Sequence, residues 1–391
     1  MKKCYIIAPN DRYNYGDLLF SYVLVEKIGN LYDDISHIAT IDQDLTSVGG
    51  HKVKSIRSIK EIHKSEKFDI IVAGGHSLFC PWPFVLYCLD NRYIWLSKLN
   101  YGLKRFVGDN ISNRIIQYLS QITFGIKIAY PYSIGKHEIS GIEKLIYNSV
   151  DGNLKSTLSN QDKKILKTAD YLSVRSKRTC QILKNNGLNA HLYPDSAIQI
   201  SSIFPKEKLI EKTNIKSEQF SSRYIVFQIN RELGEKYFNE IICNLKDILN
   251  ETDRQIVLCP IGFAMGHDDL LILEKLYESI NSKRIILYRN LTIWDIMSLI
   301  AHSEVFIGSS LHGCITAMSY SRPYLGLDVK KTIEYIADWG LGEQFYSNCK
   351  EFNTKLYSII NYPTAALEKN LNDQLNQSEE SFRNIQRILT N

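Results

Sequence analysis

Val305-Phe306-Ile307-Gly308-Ser309-Ser310-Leu311-His312-Gly313 reads as a buried parallel strand that turns straight into a helix. The short β-branched run fits a strand covered on both faces, and the Gly-Ser-Ser break supplies the turn and the helix start. All the polarity gathers at that turn. The first N–H groups of a helix lack internal partners and carry the positive end of its dipole, so an anion, most often a phosphate, suits the place. Ser309 and Ser310 add hydroxyl donors, Gly308 and Gly313 would let backbone approach a ligand, and His312 could bond that ligand or exchange a proton with it. The same residues also fit an ordinary helix cap with a half-buried histidine beside it.

Around this stretch the second half of the chain alternates strands and helices. Strands are expected at 224–229, 255–259, 284–287, 304–307 and 323–327, with helices between them at 270–280 and 294–301. Five strands in such alternation imply a doubly wound parallel sheet. The first half carries a similar pattern. Strands are expected at 4–8, 68–73, 126–131 and 169–174, and a helix from about 161 to 168.

Polar residues cluster just beyond these strands, where ligands collect in open α/β sheets. Asn14, Gly16 and Asp17 follow the first strand, Gly74, Gly75, His76 and Ser77 the next, Arg175 the strand ending at Val174, and Asp195 lies in a later turn. An arginine so placed can grip a carboxylate or phosphate through two parallel bonds. Each of these groups is also what a tight turn, a cap or a solvated surface would use. The expected organisation is an α/β chain of two Rossmann-like doubly wound domains facing a cleft, the GT-B arrangement. Residues 1–200 form the first domain, 201–222 a linker, 223–345 the second domain, and 346–391 a helical tail that docks through Phe382, Ile385, Ile388 and Leu389.

With 391 residues, 44% apolar and 23% charged, the composition is that of a globular protein with room for two cores. A net charge of +5 tolerates anionic substrates but lacks the concentrated basic stripe of a nucleic-acid binder. The eight cysteines show no paired spacing and the nine histidines no i, i+4 pairs, which argues for free buried thiols and against a metal site. The apolar run after Met1-Lys2-Lys3 is short for a secretory signal, and the expectation is a cytoplasmic protein working near the inner face of a membrane. Seven aromatics between Phe79 and Tyr101, followed by Lys104 and Arg105, fit either a core or a sugar-binding or membrane-surface segment.

Taken together, Asn14-Tyr15-Gly16-Asp17, Gly74-Gly75, Leu172-Ser173-Val174-Arg175, Pro194-Asp195 and Ser310-Leu311-His312-Gly313 resemble, in order and spacing, the polysaccharide pyruvyl transferases. The resemblance covers residues 4 to 340. It implies transfer of pyruvate from phosphoenolpyruvate to two hydroxyls of a saccharide or lipid-linked saccharide as a cyclic ketal, with release of phosphate and no cofactor. On that footing the turn Ser309–Gly313 takes the phosphate and His312 donates a proton or stabilises the leaving group. Arg175 takes the donor's carboxylate or phosphate, Asp17 with Asn14 handles the sugar hydroxyl, and Asp195 orients Arg175 or serves as a base.

Two positions depart from the family pattern. Ser310 stands where many members carry arginine, so either the missing charge comes from elsewhere, Lys330 or Lys331 being the nearest candidates and then Arg289 or Arg231, or the donor contact differs. His76 replaces a third glycine. Two other readings stay open: a GT-B glycosyltransferase whose nucleotide ribose is met by Glu334, or a non-catalytic glycan-binding relative. Membrane contact, if made, is assigned to residues 79–105.

Overall fold

The computed structural model describes residues 2–61, 66–89, 93–264 and 268–391. In the first domain eight strands line up: β1 (Lys3–Ile7), β2 (Asp34–Ala39), β3 (Gln43–Asp44), β4 (Lys52–Ser55), β5 (Phe68–Ala73), β6 (Ile142–Val150), β7 (Tyr171–Val174) and β8 (His191–Leu192). Their spatial order is β3-β4-β2-β1-β5-β6-β7-β8, parallel throughout except for the β3 edge. The second domain holds β9 (Tyr224–Gln228), β10 (Gln255–Leu258), β11 (Ile285–Leu287), β12 (Val305–Gly308), β13 (Tyr324–Leu327) and β14 (Tyr346–Ser347). These are all parallel, in the order β11-β10-β9-β12-β13-β14.

The central strands are apolar on both faces because helices cover both faces. Every residue of β5, β9 and β12 is buried. In each sheet the winding reverses beside its first strand: β1 pairs with both β2 and β5, and β9 with both β10 and β12. Crevices open at such reversals, beyond the carboxyl ends of the strands. Here the two crevices face each other.

The helix α1 (Tyr15–Ile28) joins the halves. Its apolar residues, among them Leu18, Leu19 and Val23, belong to one continuous core with the strands of the second sheet. Ahead of it, Asn14 bridges to Gly262, Phe263 N–H donates to Tyr13 O, and the Tyr13 and Phe263 rings stack at 4.5 Å. The connecting segment 201–222 is largely helical, with helices Ile200–Ile203, Lys206–Lys212 and Ser217–Ser221, and lies against the second domain. Thr213 Oγ1 and Asn214 N–H both donate to Asp295. The final helix, Thr364–Thr390, crosses back to the first domain, burying Phe382, Ile385 and Leu389 and linking Ser381 to Tyr171 at 3.2 Å.

Two expectations fail, one in each domain. Residues 126–131 form no strand: Ile126 and Ile128 are buried and Lys127 is exposed, but the Ile128 carbonyl is met by the Gln121 side chain and the Ala129 N–H by Glu138. Alternation reported a buried face, not a ladder. The strand in that place is β6, whose charged start, Glu143-Lys144, hides it. Cys243 is exposed while the other seven cysteines are buried. Among the described residues no helix is long and apolar enough to cross a membrane.

Candidate active site

Three glycines decide how α1 meets the cleft. A Cβ on Gly16 would stand 1.8 Å from His312 Nδ1, one on Gly74 2.3 Å from the Phe20 ring, and one on Gly75 3.1 Å from Asp17 Oδ1. Gly75 also holds φ +66°, which favours glycine. The bare positions therefore let α1 wedge between the β5 turn and the helix Leu311–Ser319. Asp17 and His312 are both brought to the cleft, and Phe20 lies edge-on to the His312 ring at 5.3 Å.

His312 and Arg175 converge on Asp195. Arg175 Nη1 donates to Asp195 Oδ2 at 2.5 Å, and His312 Nε2 lies 3.7 Å from the same oxygen. Asp151 Oδ2 is 3.5 Å from Arg175 Nε. Arg175 and Asp195 are both buried. Burial by itself would raise the Asp195 carboxyl, but the Arg175 guanidinium and His312 beside it hold it down at about 2. His312 Nε2 and Arg175 Nε are buried with no hydrogen-bond partner among the described residues. Orphaned polar atoms in a native interior call for a reason, and a ligand is one.

The second domain holds Arg175 and Asp195 in place. Trp339 Nε1 donates to Arg175 O at 2.7 Å, and Asp195 N–H donates to Tyr335 Oη at 3.1 Å. Both partners lie on the helix Lys330–Trp339, which also delivers Lys331 to the cleft and ties Thr332 Oγ1 to Ser309 O at 3.0 Å.

The turn after β12 is a capped helix start. Ser310 Oγ accepts from Gly313 N–H at 3.2 Å, and Ser310 N–H donates to Gln228 Oε1 at 2.8 Å. Ser309 Oγ donates to Gln228 Oε1 and accepts from Asn230 N–H. The Ser309 hydroxyl is thus spent inside the protein, contrary to its expected use as a ligand donor, whereas Ser310 Oγ only accepts and keeps its O–H at the wall of the cleft. Gly308 and Gly313 serve packing as well: a Cβ would meet Gln228 O at 2.8 Å and the Phe306 ring at 2.2 Å. Ligand-facing capacity at this turn resides in the Ser310 O–H and in the N–H groups of Leu311 and His312, which a helix start leaves without internal partners.

Of the remaining expected residues, Asn14, Gly75 and His76 line the cleft, and Asn14 Nδ2 donates to Asp17 Oδ2 at 2.9 Å. Ser77 does not. It is fully buried, with Oγ turned to the Ala73 and Gly74 carbonyls. Gly74 lies behind the cleft wall against Phe20. Lys330 points away, pairing with Glu334 at 3.7 Å on the outer face of its helix, with 77% of its side chain exposed. The cleft cation from this helix is its neighbour Lys331. Lys331 keeps solvent access along the cleft, yet the surrounding walls, then Arg175, lower its pKa. The walls also lower that of His76, with Asp151 opposing and Arg175 and Lys331 adding to the effect. Arg231 and Arg289 are taken by Glu235 and Glu274.

Sequence reasoning missed Arg12 and Asp269. Arg12 lines the cleft from the loop after β1, with Nη2 donating to Tyr132 Oη at 2.6 Å and Nε 3.7 Å from Asp11 Oδ1. Its position past a strand's carboxyl end was the available signal. Asp269 begins the helix Asp269–Ile280, where Asp268-Asp269 reads as a cap. Its Oδ2 accepts from Gln228 Nε2 and from the N–H groups of Ile261 and Gly262, at 2.8–3.1 Å. Burial pushes the carboxyl up to about 7 in spite of those donors.

The cleft, about 280 Å³, thus joins three cations, Arg12, Arg175 and Lys331, to the carboxyl groups of Asp17 and Asp269 and to His312. A family model described as polysaccharide pyruvyl transferase matches residues 14–331, which run from the first cleft asparagine to the last cleft lysine. The chain belongs to the polysaccharide pyruvyl transferase family. No curated protein matches it. Among solved structures, the S. aureus MnaA–UDP co-structure is similar with a TM-score of 0.52 and 14% identity, over 95% of this chain and 91% of that one. UDP-GlcNAc 2-epimerase from Neisseria meningitidis, bound to UDP-GlcNAc, reaches 0.53 at 11% identity, over 100% of both chains. At such identities the likeness is one of fold, and it is the GT-B fold. This family member therefore has the expected two parallel-sheet domains, and four of its five motifs send residues to one cleft, among them Asp17, Gly75, Arg175 and His312.

Proposed function

We propose that the chain transfers pyruvate from phosphoenolpyruvate to a saccharide as a ketal, releasing phosphate. The observation that carries this reading is the convergence of Arg12, Arg175 and Lys331 with His312 in one small cleft. A three-carbon donor bearing both a carboxylate and a phosphate needs more than one cation, and here Arg12 and Lys331 offset the serine at position 310. A volume of about 280 Å³ is at the small end of ligand cavities. That favours a compact donor over a nucleotide sugar. Glu334, the residue a ribose would have needed, sits in a surface pair with Lys330 and does not line the cleft.

In this reading the phosphate rests at the N–H groups of Leu311 and His312 with Lys331 beside it, and the carboxylate is met by Arg12 and the free edge of Arg175. His312 delivers the proton that turns the donor's methylene into a methyl and makes its neighbouring carbon electrophilic. Asp17, steered by Asn14, takes the proton of the attacking sugar hydroxyl. The carbon–oxygen bond to phosphate then breaks, and the second hydroxyl closes the ring, its proton leaving with the phosphate. Asp269, neutral or charged near pH 7, is a second group able to carry a proton in the cleft. Peripheral membrane contact through residues 79–105 belongs to the same reading.

The test is phosphate release from phosphoenolpyruvate, set against nucleotide release from UDP-sugars, with a panel of saccharide acceptors. Phosphate release that collapses in His312→Ala supports the proposal. Nucleotide release with phosphoenolpyruvate inert overturns it.

A further inference from the structure

The helix Ile94–Phe124 is not one rod. At Gly108 the backbone takes φ 75°, ψ 170°, and Ser112 Oγ donates to Asn100 O at 3.1 Å. Twelve residues of straight helix would hold those two about 18 Å apart, so the element folds back into a hairpin. Its inner side, including Leu96, Ile116 and Phe124, is buried. Its outer side is apolar too. Ile111, Ile115, Tyr118 and Ile122 recur at spacings of four, three and four and are all exposed, as are Trp95 and Tyr101. At the bend Phe106 stands 87% exposed. A globular helix normally turns one apolar stripe inward and a polar one outward. This hairpin has two apolar stripes.

Charge indicates what covers the outer one. Residues 79–125 carry five Lys or Arg against two Asp, which is most of the chain's net +5. Lys98, Lys104, Arg105 and Arg114 lie on the hairpin itself. Exposed Trp, Tyr and Phe beside Lys and Arg, on a helix too polar to span a bilayer, is the composition of an element lying in an anionic lipid interface. The same net charge would make two copies repel. The hairpin is also joined to the active site: a hollow of about 520 Å³ between it and the short helix Trp82–Cys88 is bordered by Phe84, Tyr87, Tyr101 and Lys104, and Phe84 lines the catalytic cleft as well.

We infer that this hairpin docks the enzyme on the anionic surface of a membrane, with Phe106 and the Ile111–Ile122 stripe entering the interface and Lys98, Lys104 and Arg105 meeting the headgroups. The inference deepens the proposed function and rests on it only for the acceptor: a cleft opening beside docked lipid is placed to take a saccharide carried on a lipid phosphate. Docking itself is read without chemistry.

The experiment is co-sedimentation of the full chain with vesicles of phosphatidylcholine alone or mixed with phosphatidylglycerol. Binding should require phosphatidylglycerol, weaken as salt is raised, and fall at least about tenfold in Phe106→Ser/Ile111→Ser/Tyr118→Ser and in Lys98→Glu/Lys104→Glu/Arg105→Glu. All six positions lie outside the catalytic cleft, so both variants should keep the parent's unfolding midpoint and its phosphate release with a water-soluble acceptor. Absence of vesicle binding, or binding that the variants retain, overturns the inference whether or not the pyruvyl chemistry holds. A parent dimer broken by the Phe106 variant would assign the surface to a second copy and overturn it equally.

Discussion

Replacing Gly16 by alanine tests whether His312 is seated as described. Position 16 lies in the first turn of α1 with ordinary helical geometry, so alanine alone should gain about 1 kcal/mol of helix propensity. Its Cβ, however, would lie 1.8 Å from His312 Nδ1, in a place closed by Phe20 on one side and Asp195 on the other. Overpacking of this kind costs about 1–3 kcal/mol. The single variant should therefore be destabilised by about 0–2 kcal/mol. Placed in a His312→Ala background, the same change meets no ring and should stabilise by about 0.5–1 kcal/mol. The coupling between the two positions is then about 1–3 kcal/mol, measurable as a double-mutant cycle by urea denaturation. Phosphate release by Gly16→Ala should fall at least about tenfold, since a displacement of about 1 Å can cost a hundredfold in rate. Additive stability effects, or undiminished turnover in Gly16→Ala, would refute the packing argument and the role of His312 together.

Three further outcomes follow from the same geometry. Asp195→Ala leaves the Arg175 guanidinium buried beside Asp151 alone and should cost about 3–5 kcal/mol in urea denaturation, a loss below about 1 kcal/mol contradicting the pairing. Lys331→Ala should lower kcat/KM for the anionic donor at least about tenfold, and Lys330→Ala should stay within about twofold of the parent, because only Lys331 lines the cleft; steady-state kinetics on both decides. Asp269, raised from 3.8 to about 7, binds its proton more tightly in the folded chain, so the stability it contributes is complete below the unfolded value and is lost as pH rises through about 7. Urea midpoints between about pH 4 and 8 should therefore fall less steeply in Asp269→Asn than in the parent.

The second domain was the more legible half. Its five expected strands match β9 to β13 within a residue or two, because each is a short apolar run covered on both faces and bounded by polar turns. The first domain was harder to read. β6 begins with charges at the sheet's rim, and residues 126–131 alternate without pairing. The aromatic run was also divided in a way its composition did not reveal: Trp82 is buried, while Phe84, Tyr87, Trp95 and Tyr101 face solvent. Burial there depends on which side of a folded-back hairpin meets the domain.

The sequence by itself determined the two α/β series, the family, and that His312 and Arg175 lie at strand ends, since hydrophobic periodicity and local turn residues are properties of short segments. Only the tertiary structure decided which polar groups share the cleft. Asp195 between Arg175 and His312, Lys331 in place of Lys330, and Arg12 and Asp269 as cleft residues all depend on how one sheet faces the other. No local pattern encodes that orientation. It is set by the core that α1 shares with both domains, and by three glycines whose missing side chains leave room for a histidine, a phenylalanine and an aspartate.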